Sequence, residues 1–252
     1  MEHKEEDLYA PVRHFLLEQG YDVKGEVAKC DVMAMKDDVM IVVELKKNVN
    51  LELILQAVDR QRAADKVYVA AFKNNKLVSS KKWKHIVQML RRLGIGIMLV
   101  TLKKNGFSYV DVPLEAERLE QKSKPPRRSQ RHRKKWITEF QGRSGDFNTG
   151  GTVRKKLITA YKEKTIHIAA FLLQHHVLSI KQLKQYGTDD QKTATILQQD
   201  HYGWFERVSR GHYQLSKKGK QEIQQFEHLV QHFHDIQASE VDGNGIEEHD
   251  VK

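Results

Sequence analysis

The sequence predicts an α/β protein with a mixed central sheet flanked by helices, followed by a smaller C-terminal domain of helices and one β-hairpin. Helix-like and strand-like segments follow one another over residues 1–118 without the regular alternation of a doubly wound fold. The run Met40-Ile41-Val42-Val43 has no polar interruption, which is typical of a strand buried on both faces. A basic stretch with prolines and glycines then interrupts the pattern and predicts a domain boundary.

The composition excludes several classes of protein. A chain of 252 residues, 39% hydrophobic and 30% charged, can bury two cores, which excludes collagenous, mucin-like and fully disordered proteins. No apolar run approaches the ~18 residues of a membrane span, and the N-terminus lacks the apolar stretch of a signal peptide. We therefore expect a cytoplasmic protein with no membrane partner. The single cysteine, Cys30, excludes an internal disulfide.

The chain begins with a predicted helix and three strands. Apolar residues at helical spacing predict a helix that ends at Gly20. The next strands are predicted over residues 21–27, 30–35 and 39–45. Asp37-Asp38 is a turn pair, so the second and third strands form a hairpin.

The first domain continues with two helices and three strands. The pattern predicts a helix over residues 51–58, a strand over 67–71, a helix over 83–93, and a closing hairpin of 95–102 and 107–112. The resulting order is α-β-β-β-α-β-α-β-β. Neither glycine-rich phosphate-binding pattern of nucleotide-binding folds occurs in the sequence.

The first hairpin brings two carboxylates together. Counting outwards from a two-residue turn places Asp31 opposite Glu44. Carboxylates with Cβ atoms ~5 Å apart in an apolar sheet are destabilising unless a positive charge lies between them. A divalent cation would supply that charge, and oxygen ligands without histidine or cysteine favour Mg²⁺ or Mn²⁺ over zinc. Lys46 lies two residues beyond Glu44 and projects from the same face.

The helices on either side of the hairpin add two candidates. Helical periodicity places Glu5 on the apolar face of the first helix, directed at the sheet, whereas Glu6 points away. Gln56, on the helix after the hairpin, is a weaker candidate. A D-x(n)-E-x-K string alone is a weak pattern that many exposed hairpins contain, so its interpretation depends on this buried position between two helices.

Asp31 and Glu44-Leu45-Lys46, with Glu5 and Gln56 on the flanking helices, resemble the PD-(D/E)XK nuclease superfamily. The chain is also similar, over most of residues 5–220, to a bacterial family of PD-(D/E)XK-type phosphodiesterases that pair this core with a C-terminal helical region. The resemblance implies a restriction-endonuclease-like core. Cys30 replaces the proline of the superfamily name, a residue that ligates nothing. The similar strings are Glu5-Glu6-Asp7-Leu8-Tyr9, Gln19-Gly20-Tyr21, Gly25-Glu26-Val27, Cys30-Asp31-Val32, Val43-Glu44-Leu45-Lys46, Asn148-Thr149-Gly150-Gly151 and His201-Tyr202-Gly203-Trp204-Phe205.

The resemblance implies a metal centre and a water-activating group. Asp31, Glu44 and the main-chain carbonyl of Leu45 would ligate Mg²⁺, for which Mn²⁺ could substitute. Lys46 would orient the attacking water or help to deprotonate it, and its charge would stabilise the pentacovalent phosphate.

The resemblance also implies the activity. Glu5 would hold a second metal or a metal-bound water, and Gln56 would position the site or the phosphodiester. The implied reaction is the metal-dependent hydrolysis of DNA phosphodiester bonds. The alternative is a non-enzymatic DNA-binding regulator that retains the nuclease fold as a scaffold.

The excess of basic residues indicates a polyanionic partner. Forty-three lysines and arginines against 33 acidic residues give a net charge of +10, which favours nucleic acid over a membrane. The basic run over residues 121–136 is either a disordered arm along phosphates or an inert linker. Its candidate DNA-binding residues are Arg127, Arg128, Arg131, Arg133, Lys134 and Lys135.

The second half of the chain predicts a winged helix. Three helix-like segments precede a hairpin within residues 204–215. In a winged helix the third helix reads the major groove and neighbouring basic residues contact phosphates. A winged helix used only for protein contacts is the alternative, because fold alone does not establish function. The candidate contacts are Lys192, Thr195, Gln198, Arg207 and Arg210.

These patterns predict four regions. We expect a nuclease-like domain over residues 1–118, a basic linker with a glycine-rich loop over 119–150, a winged-helix-like domain over 151–236, and an acidic disordered tail over 237–252. DNA is the expected partner, and the sequence leaves a homodimer open.

Overall fold

The computed structural model of the protein describes residues 3–103, 106–118, 127–152 and 157–243. The chain divides into two compact units, residues 1–158 and 159–252. The first unit therefore extends well beyond the boundary expected at residue 118.

The first unit is a mixed sheet with helices on both faces. Its described strands form one sheet in the order β1-β2-β3-β4-β5-β6, in which β3, β4 and β5 run parallel and the other neighbours antiparallel. The α/β prediction with a mixed central sheet is confirmed. The elements are a 3-10 helix (Glu5–Leu8), α1 (Tyr9–Glu18), β1 (Asp22–Val27), β2 (Cys30–Lys36), β3 (Val39–Leu45), α2 (Leu51–Arg60), β4 (Lys66–Phe72), α3 (Asn75–Val78), α4 (Lys81–Arg92), β5 (Gly96–Leu102), β6 (Ser108–Leu114) and α5 (Arg127–Gln141).

The β2–β3 hairpin has the predicted register. Lys36 pairs with Val39 across the turn, and the ladder continues to Val32 opposite Val43. The next step outwards is Asp31 and Glu44. The two-residue turn sets this register, because it fixes which residues of the two strands lie opposite each other.

Each face of this sheet covers its own core. Buried residues of α1 pack on one face, among them Val12 and Leu16. Leu53 of α2, Trp83 of α4 and Phe140 of α5 pack on the other face. The sheet is thus enclosed between helices on both faces.

The basic segment differs from the linker that the sequence predicted. Residues 127–141 form α5, and Phe140 is 3% exposed in the core of the first unit. Trp136 and Ile137 pack against the same core, so the three side chains form an apolar face on a strongly basic helix. These apolar residues were missed in the sequence because most of their neighbours in the segment are charged.

The second unit contains helices and a three-stranded antiparallel sheet of order β7-β9-β8. Helix α8 of this unit starts at Thr193, after a turn in which the carboxylate of Asp189 accepts from the main-chain N–H groups of Gln191 and Lys192. The elements are α6 (Ala160–His175), β7 (Val177–Ser179), α7 (Ile180–Gln185), α8 (Thr193–Gln199), β8 (Phe205–Ser209), β9 (His212–Leu215), α9 (Lys217–Glu222), a 3-10 helix (Ile223–Phe226) and α10 (Glu227–Gly243).

The acidic tail is helical where the structure describes it. The last helix, α10, continues to Gly243, so residues 237–243 are helical and not disordered as predicted. Buried Leu229 and Phe233 anchor α10 to the second unit, and the helix extends from that anchor. Residues 244–252 of the predicted tail lie outside the described residues. Across the described ranges, every helix is too short or too polar to cross a membrane.

Arg133 provides a test of how α5 is attached. Its guanidinium donates to the main-chain oxygen of Ala63 at 2.6 Å and to the carboxylate of Asp65 at 2.8 Å. We expect Arg133→Ala to lower the free energy of unfolding by about 1–2 kcal/mol, measured by urea denaturation. The exposed Arg131→Ala on the same helix is the control and should change it by less than about 0.5 kcal/mol. Equal effects of the two substitutions would contradict the docking of α5 through Arg133.

Candidate active site

The centre of the site is a pair of acidic side chains on adjacent strands. Asp31 lies near the start of β2 and Glu44 near the end of β3, between the buried residues Val43 and Leu45. Glu44 is only 2% exposed, and the main-chain N–H of Leu45 donates to Asp31 Oδ2 at 2.8 Å. The structure thus brings together the two carboxylates that the register predicted.

Burial and mutual repulsion make this pair hold protons unusually tightly. Burial, followed by the charge of Asp31, raises the pKa of Glu44 to about 7. Burial also raises the pKa of Asp31, although hydrogen bonds from Leu45 and Glu44 oppose that increase. The pair therefore retains a shared proton more readily than two exposed carboxyl groups would.

Arg60 at the end of α2 compensates part of this charge. Its Nε donates to Glu44 Oε1 at 2.6 Å, and its Nη2 donates to the main-chain oxygen of Lys29 at 2.7 Å. The positive charge that the sequence required between the carboxylates is thus supplied in part by the protein. Sequence reasoning missed Arg60, although it lies one helical turn after the candidate Gln56 and on the same face.

Lys46 lies between two further acids. Its Nζ is 3.9 Å from Glu5 Oε1 and 3.6 Å from Glu52 Oε2. Burial raises the pKa of Glu5, the charge of Lys46 opposes the increase, and the charge of Asp31 adds to it. Glu5 therefore belongs to the same electrostatic cluster as the pair, as its helical position predicted. Glu52 was not predicted.

Gln56 is not tied to the cluster. Its side chain is half-buried on α2 and, within the described part of the chain, makes no hydrogen bond. Gln56 lies one helical turn before Arg60 on the same helix.

Glu26 is a further acid that sequence reasoning missed. Burial, and then the charge of Asp31, raise its pKa to about 7, while main-chain N–H groups of Gly151 and Thr152 donate to its carboxylate. Its backbone φ is +53°, a left-handed conformation that is costly for a residue other than glycine. Glu26 thus links the end of β1 to a loop more than a hundred residues later.

That loop, residues 142–152, packs directly onto the site. A Cβ at Gly150 would overlap the main-chain oxygen of Asp31, so only glycine fits there. Asp146 fixes the loop by accepting from Tyr9 Oη at 2.6 Å, Arg13 Nε at 2.7 Å and the N–H of Gly25 at 2.9 Å. The glycine-rich segment predicted as part of a linker is therefore a wall of the site.

The donor set fits a hard divalent cation better than any other metal. Its side-chain candidates are carboxylates, and the sheet adds the carbonyl of Leu45. Among the described residues, however, no three histidine, cysteine or acidic side chains are grouped closely enough to hold a metal ion as they stand. Within the pair Asp31–Glu44, one oxygen of Glu44 already accepts from Arg60.

The basic candidates of α5 fall into three groups. Arg131, Lys134 and Lys135 are exposed on the helix surface. Arg133 is instead held by Asp65. Arg127 and Arg128 lie in α5, but their side chains fall outside the described ones.

The candidate DNA contacts of the second unit lie on its surface. Lys192, Thr195 and Gln198 are exposed at and along α8, on the side opposite its buried residues. Arg207 and Arg210 are exposed on the β8–β9 hairpin.

The raised pKa of Glu44 predicts how the free energy of unfolding depends on pH. Because the pKa of Glu44 is about 7 in the folded protein and near 4.5 when unfolded, its ionisation destabilises the fold increasingly as the pH rises from 4.5 to 7. We expect Glu44→Gln, which mimics the protonated form, to raise the free energy of unfolding by about 2 kcal/mol near pH 8 without divalent cation. Near pH 4 the two proteins should differ little. Urea denaturation at both pH values measures this, and Glu52→Gln on the 65% exposed neighbour is the control. A parent protein that is as stable as Glu44→Gln near pH 8 would contradict it.

The ion pair between Arg60 and Glu44 predicts a second effect on the free energy of unfolding. Arg60→Met leaves ionised Glu44 buried without its partner, which should cost about 3–5 kcal/mol of unfolding free energy near pH 8 and less at low pH. The double variant Arg60→Met/Glu44→Gln should recover most of that loss, because residue 44 then carries no charge that needs Arg60 as a partner. A double-mutant cycle by urea denaturation measures the coupling, and additive effects would contradict the pair.

Comparison with known proteins yields a family. Residues 98–222 match the model of the family described as "Putative PD-(D/E)XK phosphodiesterase (DUF2161)". The matched range contains the loop that walls the site, but not Asp31, Glu44 or Lys46. No curated protein and no solved structure matches the chain. Over residues 98–222 the chain is thus similar to this family, and two of the strings named above, Asn148-Thr149-Gly150-Gly151 and His201-Tyr202-Gly203-Trp204-Phe205, lie within that range.

Proposed function

We propose that the protein is a divalent-metal-dependent phosphodiesterase that hydrolyses DNA. The observation that carries the proposal is the buried pair Asp31–Glu44 on adjacent strands, with Lys46 following at the carboxyl end of β3. A fold rarely retains two mutually repelling carboxylates in an apolar sheet without a function for them. The family match to phosphodiesterases supports the reaction class.

Asp31, Glu44 and the carbonyl of Leu45 would hold the metal. A bound Mg²⁺ or Mn²⁺ polarises a phosphoryl oxygen and lowers the pKa of coordinated water. The raised pKa of Glu44 means that the pair gives up its shared proton when a cation binds. The cation would share Glu44 with Arg60, whose guanidinium donates to Oε1.

Lys46 would orient the attacking water and stabilise charge on the phosphate. Its ammonium group lies between the carboxylates of Glu5 and Glu52. Glu5 would thereby set the position of Lys46 and accept a hydrogen bond from water at the site. Gln56 on α2 would position the site or the phosphodiester.

DNA binding would come from outside the acidic centre. Carboxylates repel phosphate until a cation binds, so attraction in its absence requires basic surfaces. The exposed residues of α5 and of the second unit supply them. The order α6-β7-α7-α8-β8-β9 with a three-stranded sheet supports a winged helix that presents α8 to the major groove.

The Arg60–Glu44 ion pair favours a second candidate function. It neutralises one carboxylate without any metal, as a protein that kept this fold only as a scaffold would require. That protein would be a non-enzymatic DNA-binding regulator. Intact Asp31, Glu44 and Lys46 favour the enzyme, because a scaffold could lose any one of them.

Cleavage assays distinguish the two candidates. We expect plasmid and branched DNA to be cut with Mg²⁺ or Mn²⁺ and not with EDTA, and we expect Asp31→Ala and Lys46→Ala to lose at least about a hundredfold in rate. Rates are measured by gel electrophoresis at saturating cation.

Glu52→Gln is the control for Lys46→Ala, because it removes a neighbour of Lys46 that is outside the metal-binding set. It should keep most of the activity. Undiminished cutting by purified Lys46→Ala would refute the role of Lys46. Cation-independent binding without cutting of any DNA would favour the regulator.

A further inference from the structure

The first unit carries a long stretch without acidic residues. Between Asp65 and Asp111 the sequence contains no aspartate or glutamate, but it contains ten lysines and arginines. This stretch includes α3 and α4, and it is separate from α5 and from the second unit. Solvated charges on a helix usually alternate in sign, so an uninterrupted positive face is unusual.

Four of these lysines face solvent and are unpaired. Lys76 of α3 and Lys81, Lys82 and Lys84 of α4 are exposed, whereas Trp83 between them is buried in the core. None of the four forms an ion pair or hydrogen bond with another side chain in the described part of the chain. The nearest basic residue that is paired is Lys73, which binds Asp111 at 2.7 Å. The four lysines are referred to below as the α3–α4 face.

The α3–α4 face lies at the edge of the sheet that bears the candidate active site. Strands β3 and β4 are parallel, with Leu45 in register with Ala70, so their carboxyl ends meet at one edge. Glu44 ends β3 there, and α3 follows β4 after two residues. In open parallel sheets ligands bind outside these carboxyl ends.

Two of the lysines lie at the N-terminus of a helix, where positive charge is unfavourable. Lys81 and Lys82 are the first two residues of α4, whose first turn contains no acid. The N-terminus of a helix carries partial positive charge, so acidic residues stabilise it and lysines oppose it. Ser80 caps this helix through Trp83, so the helix needs no lysine there. Unfavourable charges that bring no structural benefit indicate a function.

We propose that the α3–α4 face binds backbone phosphates of a DNA duplex that extends from the active-site edge. The lysines act as point charges on phosphate oxygens and read no base sequence. The choice of DNA rests on the proposed function, but the binding requires neither metal nor cleavage.

A nucleic acid fits this face better than an anionic membrane. Membrane-surface helices combine a basic face with exposed apolar side chains that enter the lipid. The large exposed apolar residue of α4 is Met89, two turns away from Lys82, and Trp83 and Ile86 are buried. The surface offers charge alone.

Metal-free binding to a short labelled duplex tests the proposal. With the full chain in EDTA, affinity is measured by fluorescence anisotropy over a series of KCl concentrations. We expect Lys81→Ala/Lys82→Ala to weaken binding about tenfold at low salt and to reduce the slope of log K against log salt by ~1.8, or ~0.9 for each phosphate lost. The melting temperature should not fall, because both substitutions relieve the helix N-terminus.

Arg91→Ala/Arg92→Ala is the matched control. It removes two exposed charges from the other end of α4, which has the same effect on net charge. It should leave affinity and slope close to those of the parent protein. Equal losses in the two variants, or no loss in Lys81→Ala/Lys82→Ala, would overturn the proposal.

A parallel titration with phosphatidylcholine vesicles containing phosphatidylserine tests whether the α3–α4 face binds an anionic membrane instead. Vesicle binding that Lys81→Ala/Lys82→Ala abolishes, with unchanged duplex binding, would also overturn the proposal in favour of a lipid surface. Duplex binding lost in this variant alone would support the α3–α4 face even if the protein cuts no DNA. The failure of the phosphodiesterase proposal and the failure of this inference are therefore separate results.

Discussion

The main constraint on the candidate site is the electrostatic repulsion between the carboxylates of Asp31 and Glu44. Asp31 and Glu44 are neighbours on adjacent strands in an apolar sheet, and Glu44 has almost no access to water. Arg60 from α2 and the N–H of Leu45 each satisfy one oxygen of the pair. These contacts relieve the repulsion only in part, because burial still raises the pKa of both acids. The remaining unfavourable energy is available to a cation that binds between them.

The sequence predicted the strand register and failed on contacts between distant segments. A two-residue turn and the alternation of side chains determine the β2–β3 register, so Asp31 and Glu44 could be paired from local rules. The contact of Arg60 with Glu44 depends on how α2 packs on the sheet, which no local rule supplies. The sequence predicts a basic linker with a glycine-rich loop over residues 119–150, because basic residues, prolines and glycines break the composition there. In the structure Gly150 is required for close approach to Asp31.

Charge is divided between different parts of the first unit. The acids Glu5, Glu26, Asp31 and Glu44 gather at the carboxyl edge of β3, whereas the α3–α4 face is purely basic. In the proposed function, the basic surface would attract phosphates that the acidic centre repels until a cation binds. Affinity and catalysis can then be altered independently. The position of Lys81 and Lys82 at a helix N-terminus is one sign of that division.

Binding of Mg²⁺ by the folded protein tests the central claim most directly. A cation that binds only the folded state stabilises it by RT ln(1 + [L]/Kd), about 2.7 kcal/mol at a hundredfold excess over Kd. The account predicts that Mg²⁺ raises the melting temperature of the parent protein near neutral pH and not that of Asp31→Asn, which keeps the shape of the side chain and loses its charge. An equal increase for both proteins, or none for the parent protein, would contradict a metal centre at Asp31 and Glu44.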